Sequence, residues 1–425
     1  CLLVEEVLRC ATLEPAKPKE HMGDYFQNGV ITTFHDLSGH PPTHLEEDLN
    51  AWSNDQPISL VIPALYSEFE GPAMPKIISE LEKISYLNEV IIGLDNADAE
   101  QFKLVRKHCR NLEPHCRIIW NDGPGVTEIR KDLMAQGLAP VERGKGSNVW
   151  FAMGYFLASK RGKILALHDA DILSYRGEML TRLLYPVANP NFNYEFSKGY
   201  YFRADSSGFY GRVSRLLVAP LLKALRHEIG ANEFVDYLDS FRYPLAGEFS
   251  LHAEIVQNLH ISSDWGLEIG VLADVFEALS PNQVCQVDIA NSYNHKHQDV
   301  SENDPSKGLH RMATDISKLI FAKLSAETDQ MQPKFFSNLT ETYKAIATDL
   351  VKSYSHNAEM NGYPIDNQQE LSLVNLFSKV IVKEGEAQVS KSKEPSLIPS
   401  WSMVNDAIPE ISERLKETVD AENLD

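Results

Sequence analysis

The chain has 425 residues and a mass of 47.8 kDa, enough for two or three domains with full cores. Apolar residues make up 43% and charged residues 24%, the balance of a globular protein, which excludes wholesale disorder and a disulfide scaffold. Lys and Arg total 40 against 60 Asp and Glu, a net charge of −20, so neither nucleic acid nor an anionic membrane surface is an expected partner.

Five cysteines (Cys1, Cys10, Cys109, Cys116, Cys285) form no CxxC pair, so they read as reduced thiols rather than disulfides or a structural zinc site. No apolar run reaches the length of about 18 residues that a membrane span needs. The opening Cys1-Leu-Leu-Val-Glu-Glu carries acids where a signal peptide needs a basic start. A cytoplasmic location is expected. Residues 1–21, with Pro15, Pro18 and several charges, are expected to lie outside the fold as non-native or disordered sequence, within an N-terminal extension over 1–56.

The first strong β signal is Ile58-Ser-Leu-Val-Ile-Pro-Ala-Leu, a branched apolar run. Ile77, Ile78, Leu81 and Ile84 then give a helical period over 74–86. Strands are expected at Asn88–Asp95, Cys116–Asn121 and Lys163–Asp171, with helices over 99–109 and 145–160. Strand and helix alternating in this way indicate βαβ units and a mainly parallel sheet over 57–172. Ligands bind such sheets beyond the carboxyl ends of their strands, where Asp95, Asp169 and Asp171 fall. Over 173–300 the pattern is mixed: an aromatic segment, Tyr194 to Arg203, is expected to cross the face of the first sheet, and helices are expected at 212–226 and 266–279. Asp304-Pro305 is a good helix start, followed by a helical face of Leu309, Met312, Ile316, Leu319 and Ile320. Residues 301–425 read as mostly helical, interrupted at 388–399.

His168-Asp169-Ala170-Asp171 is the central chemical feature. Two carboxylates at the end of an apolar strand can hold a hard divalent cation against a diphosphate, although acids that merely cap a loop look the same. Around it stand Pro63-Ala-Leu-Tyr-Ser-Glu68 after the first strand, Asp95 after the second, and Arg143-Gly-Lys145-Gly before a helix. The last is no P-loop, because Gly146 stands where Ser or Thr is needed. Downstream come Gly211-Arg-Val-Ser-Arg215, Pro244-Leu-Ala-Gly-Glu248, Trp265-Gly-Leu-Glu-Ile-Gly270 and Asn294-His-Lys-His297. Arg212 at a helix start suits a carboxylate or phosphate. Glu268, set among apolar residues, needs a polar partner if buried. The His295/His297 pair could supply a metal ligand.

In this order, the motifs resemble retaining glycosyltransferases of the GT-A fold, and specifically the glucosyl-3-phosphoglycerate synthases, over residues 57–300. The resemblance implies an α/β fold with a Rossmann-like, nucleotide-sugar-binding mixed sheet and a helical C-terminal extension. It implies transfer of glucose from a nucleotide-glucose to the 2-hydroxyl of 3-phosphoglycerate, with Mg²⁺ or Mn²⁺ as cofactor. It assigns Pro63, Ala64, Leu65, Glu68, Asp95, Lys145 and Asp169 to the donor, with Gly247 and Glu248 at its glucose. Arg212 and Ser214 go to the acceptor, Asp171 and His295 to the metal, and Glu268, Ser214 and Asp171 to catalysis. The cations that would admit two anionic substrates are Lys145, Lys198, Arg203, Arg212 and Arg215. Three alternatives stay open: a related transferase using glycerate or a sugar as acceptor, or mannose as donor sugar; a nucleotide-sugar-binding protein without turnover; and a nucleotidyltransferase, which lacks support because no glycine-rich loop follows the first strand. The apolar face beginning at Leu309 must pack on the core or on a second chain, and a homodimer is expected.

Overall fold

The structure, a computed structural model, describes residues 27, 29–112, 116–140, 142–205, 208–290, 293, 304, 307–328, 331–391 and 397–424. Ten strands occur among them: β1 (Thr32–Phe34), β2 (Ile58–Leu65), β3 (Leu87–Asp95), β4 (Cys116–Trp120), β5 (Ile164–Leu167), β6 (Phe196–Tyr201), β7 (Ala204–Asp205), β8 (Gly208–Phe209), β9 (Phe249–His252) and β10 (Val284–Ala290). Strands β7 and β8 pair with each other. The others form one eight-stranded sheet in the order β1-β10-β6-β9-β5-β2-β3-β4. All neighbours run parallel except β9, which is antiparallel to both β5 and β6.

Strands β2, β3 and β5 are buried on both faces, so their sequences are almost continuously apolar. Alternate residues separate two cores. Val61, Ile91, Ile119 and Leu165 face the helix Lys145–Ser159 and the C-terminal helices. Leu60, Ile62, Ile92 and Ala166 face the helices Ala73–Leu81, Ala99–His108 and Gly177–Ala188. Pro63, which has no N–H to donate, lies beyond the last β2–β5 pair at Val61 and Leu167, where β5 has ended.

Two expectations are corrected. The aromatic segment does not cross the sheet: it is β6, a central strand between β10 and β9. The helix expected from Asp304-Pro305 starts at Gly308 instead, after Lys307 and with no side-chain cap. Within the N-terminal extension, the described residues form an edge strand, β1, and the helix Pro42–Trp52, whose Leu49 is fully buried; residues 1–21 lie outside the described residues.

The apolar face of the helix Gly308–Glu327 packs within the same chain. Leu309, Ile316, Leu319 and Ile320 all join the core. The helix Asn367–Lys391 packs beside it, the helix Pro333–Asn361 packs on that one and on Ala219–Ile229, and Tyr343 donates a hydrogen bond to the Leu216 carbonyl. Farther on, Trp401 stacks on Trp150 with centroids 4.4 Å apart and donates to the Trp150 carbonyl at 2.8 Å. Asp420 Oδ1 accepts from Tyr155 and Arg117 at 2.7 and 3.1 Å. Asn423 covers the sheet edge, accepting from Ile118 N and donating to Ile118 O at 3.0 and 2.8 Å. The face that motivated the homodimer is therefore already covered.

Removing these helices strips the sheet of a whole layer. Loss of a buried Trp alone costs about 3–5 kcal/mol, against about 5–15 kcal/mol for a folded protein in total. A chain ending at Val300 is expected in the insoluble fraction. A soluble, fully active 1–300 fragment would show instead that the C-terminal layer is dispensable.

Candidate active site

The carboxyl ends of β2, β3 and β5 open into a cavity of about 900 Å³. Parallel strands bring three separated segments to one mouth: Pro63, Ala64 and Leu65 from β2, Asp95 from β3, and Asp169 to Asp171 after β5. Glu68, Lys145, Arg212, Ser214, Gly247 and Glu268 line the same cavity. Residues more than 200 positions apart in sequence are thus gathered into one site.

Lys145 is the first residue of the helix Lys145–Ser159. Its Nζ lies 2.6 Å from Asp169 Oδ1 and 2.9 Å from Glu268 Oε1. Burial opposes the charge on this ammonium, but Asp169 and Glu268 outweigh it and hold the group above the ordinary lysine value. Glu268 is nearly buried in the first turn of the helix Leu267–Ala278, and Lys145 is the polar partner its burial requires. Gly247 closes against Asp169: a Cβ there would stand 2.4 Å from Oδ2, so only glycine lets the chain pass the carboxylate.

Glu248 is the donor-site residue that the structure places elsewhere. It is fully buried behind the cavity wall, accepting from Tyr293 at 2.5 Å and from Tyr201 at 2.8 Å. Burial, with the charge of Asp169, pushes its carboxyl upward against those two hydrogen bonds. Lys198 is also buried, donates to the Ala246 carbonyl, and is pushed down to about 8 by its burial despite nearby Glu268 and Glu248. Neither Glu248 nor Lys198 lines the cavity; both support it from behind.

On the other side, Gly211 has φ +68°, a left-handed turn that suits glycine. It sets Arg212 and Ser214 at the entry to the turn Ser214–Val218 and the helix Ala219–Ile229. Nε of Arg203, Nε of Arg212 and Oγ of Ser214 are buried without a hydrogen-bond partner among the described residues, and all three residues line the cavity. Buried donors are seldom left unpaired, so this wall is built to meet an acceptor of hydrogen bonds. Arg215, expected among the anion-binding cations, is committed elsewhere: both its terminal nitrogens bind Glu370, at 2.8 and 2.9 Å.

Two oxygen-donor carboxylates at a strand end suit Mg²⁺ or Mn²⁺, which take one or two carboxylates and complete their shell with water and substrate phosphate. No cluster of three or more metal-ligating side chains occurs among the described residues. His295, the other expected ligand, and His297 lie outside the described residues.

Sequence reading missed Tyr201, Tyr293 and Gln369, whereas Trp265, quoted in its motif, does line the cavity. The aromatic run containing Tyr201 was a visible signal. Gln369 had none, for it reaches the cavity from a helix 157 positions after Arg212.

A mixed sheet with one reversed strand, a DxD at its mouth and a facing wall that carries Arg203, Arg212 and Ser214 define a nucleotide-sugar-dependent glycosyltransferase of the GT-A fold. The glucosyl-3-phosphoglycerate synthase of Persephonella marina is 39% identical over 404 residues, covering 95% of this chain and 100% of that protein. That of Methanococcoides burtonii is 35% identical over 401 residues, covering 93% and 96%. The chain belongs to the glucosyl-3-phosphoglycerate synthase family. A crystal structure of the Mycobacterium tuberculosis synthase in complex with Mn²⁺, uridine diphosphate and glucosyl-3-phosphoglycerate shares the fold, with a TM-score of 0.50 and 22% identity over 70% of this chain and 87% of that one. No protein-family profile matches the sequence. No helix among the described residues is long and apolar enough to cross a membrane.

Proposed function

We propose that this protein transfers glucose from a nucleotide-glucose to the 2-hydroxyl of 3-phosphoglycerate with retention of the α configuration. The observation that carries the acceptor reading is that Arg203 Nε, Arg212 Nε and Ser214 Oγ are buried and make no hydrogen bond among the described residues, on one wall of a cavity whose other wall is the DxD mouth. A phosphorylated small acid has the oxygens to satisfy them, whereas a neutral acceptor leaves charged donors unpaired.

Pro63, Ala64, Leu65 and Asp95 hold the nucleoside, with Glu68 close by, and Gly247 lines the glucose. Asp171, with His295 as the other candidate ligand and Asp169 in support, holds Mg²⁺ or Mn²⁺. That ion, when bound, neutralises charge on the diphosphate. Lys145 adds a fixed positive charge on the donor side, where negative charge grows as the sugar–phosphate bond breaks. Glu268 holds Lys145 in place and stands beside the reacting centre. Retention without a nucleophile on the protein fits same-face attack, in which the departing phosphate accepts the proton of the incoming hydroxyl. A cytoplasmic location remains part of this proposal, and a homodimer, if it forms, uses a face other than the one beginning at Leu309; light scattering of the purified protein reads the second.

Incubated with Mg²⁺, UDP-glucose and 3-phosphoglycerate, the protein is expected to release nucleoside diphosphate and form an α-linked glucosyl-3-phosphoglycerate, read by anomeric NMR. Equal rates with unphosphorylated glycerate would move the acceptor assignment to glycerate. A β linkage would contradict retention.

A further inference from the structure

The sequence placed no site residue in 301–425, yet the first turn of the helix Asn367–Lys391 reaches the acceptor wall. Arg212 donates from its Nη2 to Gln369 Oε1 at 2.9 Å, and Gln369 lines the same cavity as Arg212 and Ser214. The position of Gln369 is fixed by its neighbours. Asp366 Oδ1 caps the turn, accepting from the backbone N–H groups of Gln368 and Gln369 at 3.0 and 3.1 Å. Glu370, whose side chain is 4% exposed, grips Arg215 through both oxygens, a paired geometry with little play. Arg215 is itself held by the Tyr210 carbonyl at 2.9 Å and lies 4.8 Å from the ring centre of Tyr354.

Charge bookkeeping gives Gln369 its meaning. Arg212 and Arg215 share a single carboxylate, Glu370, which sits 3.8 Å from Arg212 Nε but pairs bidentately with Arg215. The surplus positive charge therefore stays on Arg212, at the cavity. A neutral carboxamide can fix the direction of that guanidinium without cancelling its charge. With its oxygen on Arg212, the amide also keeps an N–H donor end suited to an anionic oxygen.

We propose that Gln369 is a specificity-determining residue of the acceptor site, supplied by the C-terminal helices, which orients Arg212 toward the acceptor's anionic group while leaving its charge unspent. The inference rests on the assignment of Arg212 to the acceptor.

The test is a set of steady-state assays on the full chain, varying 3-phosphoglycerate and UDP-glucose in turn. Gln369→Glu should raise the acceptor KM at least about tenfold, leave the donor KM unchanged, and leave the melting temperature equal or higher, because the new carboxylate pairs with Arg212. Gln369→Ala should raise the acceptor KM by a smaller factor. A merely structural contact predicts the reverse order, since glutamate has the same shape and binds Arg212 more strongly. Gln369→Glu at the wild-type acceptor KM, with Arg212→Ala impaired, would overturn the inference and spare the assignment of Arg212. An unchanged acceptor KM in Arg212→Ala as well would remove both. Equal losses for donor and acceptor would also overturn it.

Discussion

Asp171→Ala is expected to lose at least about a thousandfold in kcat/KM while keeping the wild-type melting temperature. The carboxylate lines the cavity and is only half-buried, so its removal opens no hole in either core. Asp169 Oδ1 is paired with Lys145, and the backbone at Gly247 closes against Asp169 Oδ2. The proposed role of Asp171, which lines the cavity at this strand end, is to hold a hard cation against a diphosphate. A bound divalent ion supplies several kcal/mol of charge stabilisation, and each 1.36 kcal/mol is a factor of ten in rate. Calorimetric titration with UDP and Mg²⁺ gives a readout independent of turnover: the gain in UDP affinity that Mg²⁺ confers on the wild type should vanish in the variant. Wild-type turnover with unchanged Mg²⁺ dependence would remove Asp171 from the metal site.

The parts of this molecule that could be read from sequence are those where local chemistry and fold coincide. Strands β2, β3, β4 and β5 announce themselves because both their faces are buried and polar residues are scarce along them. Strands β1 and β9, of three and four residues, are too short to show a period. In β10, Gln286 and Asp288 interrupt the apolar pattern, and Gln286 is buried only because Thr33 and the Ser240 carbonyl accept its amide hydrogens. No sequence rule anticipates those partners. The site follows the same division. Asp95, Lys145, Asp169, Asp171, Arg212 and Glu268 stand at strand ends or helix starts, where a polar residue between apolar ones is conspicuous. Gln369 and Glu370 belong to a polar helix start, Asn367-Gln-Gln-Glu, that looks like any solvated first turn. Only the packing of the C-terminal helices against Ser214–Val218 reveals what they touch.

Lys145→Met should cost both rate and stability, and so separate itself from Asp171→Ala. In the wild type one ammonium lies between Asp169 and Glu268, with all three side chains largely shielded from water. Methionine keeps the length of the side chain but leaves two neighbouring carboxylates without their counter-charge. Partial exposure screens the effect, so the expected loss is about 1–3 kcal/mol rather than that of a fully buried pair, a fall in melting temperature of several degrees. The sign of the pH dependence follows from the raised value of Lys145. A cation whose value is higher in the folded state contributes stability that is complete below its unfolded value and is lost only as pH rises through the folded one. The deficit of Lys145→Met relative to wild type should therefore hold constant across the neutral range and shrink only at strongly alkaline pH. Kinetically, the loss of a fixed positive charge beside the leaving diphosphate should lower kcat by about a hundredfold or more, with a smaller change in the KM for UDP-glucose, because the charge it answers is largest in the transition state. Thermal melts at several pH values and steady-state assays with varied donor measure the two effects separately. A variant that melts early yet turns over at the wild-type rate would reduce Lys145 to a tie between two carboxylates. One that melts normally and turns over slowly would show that Asp169 and Glu268 need no counter-charge to stay in place.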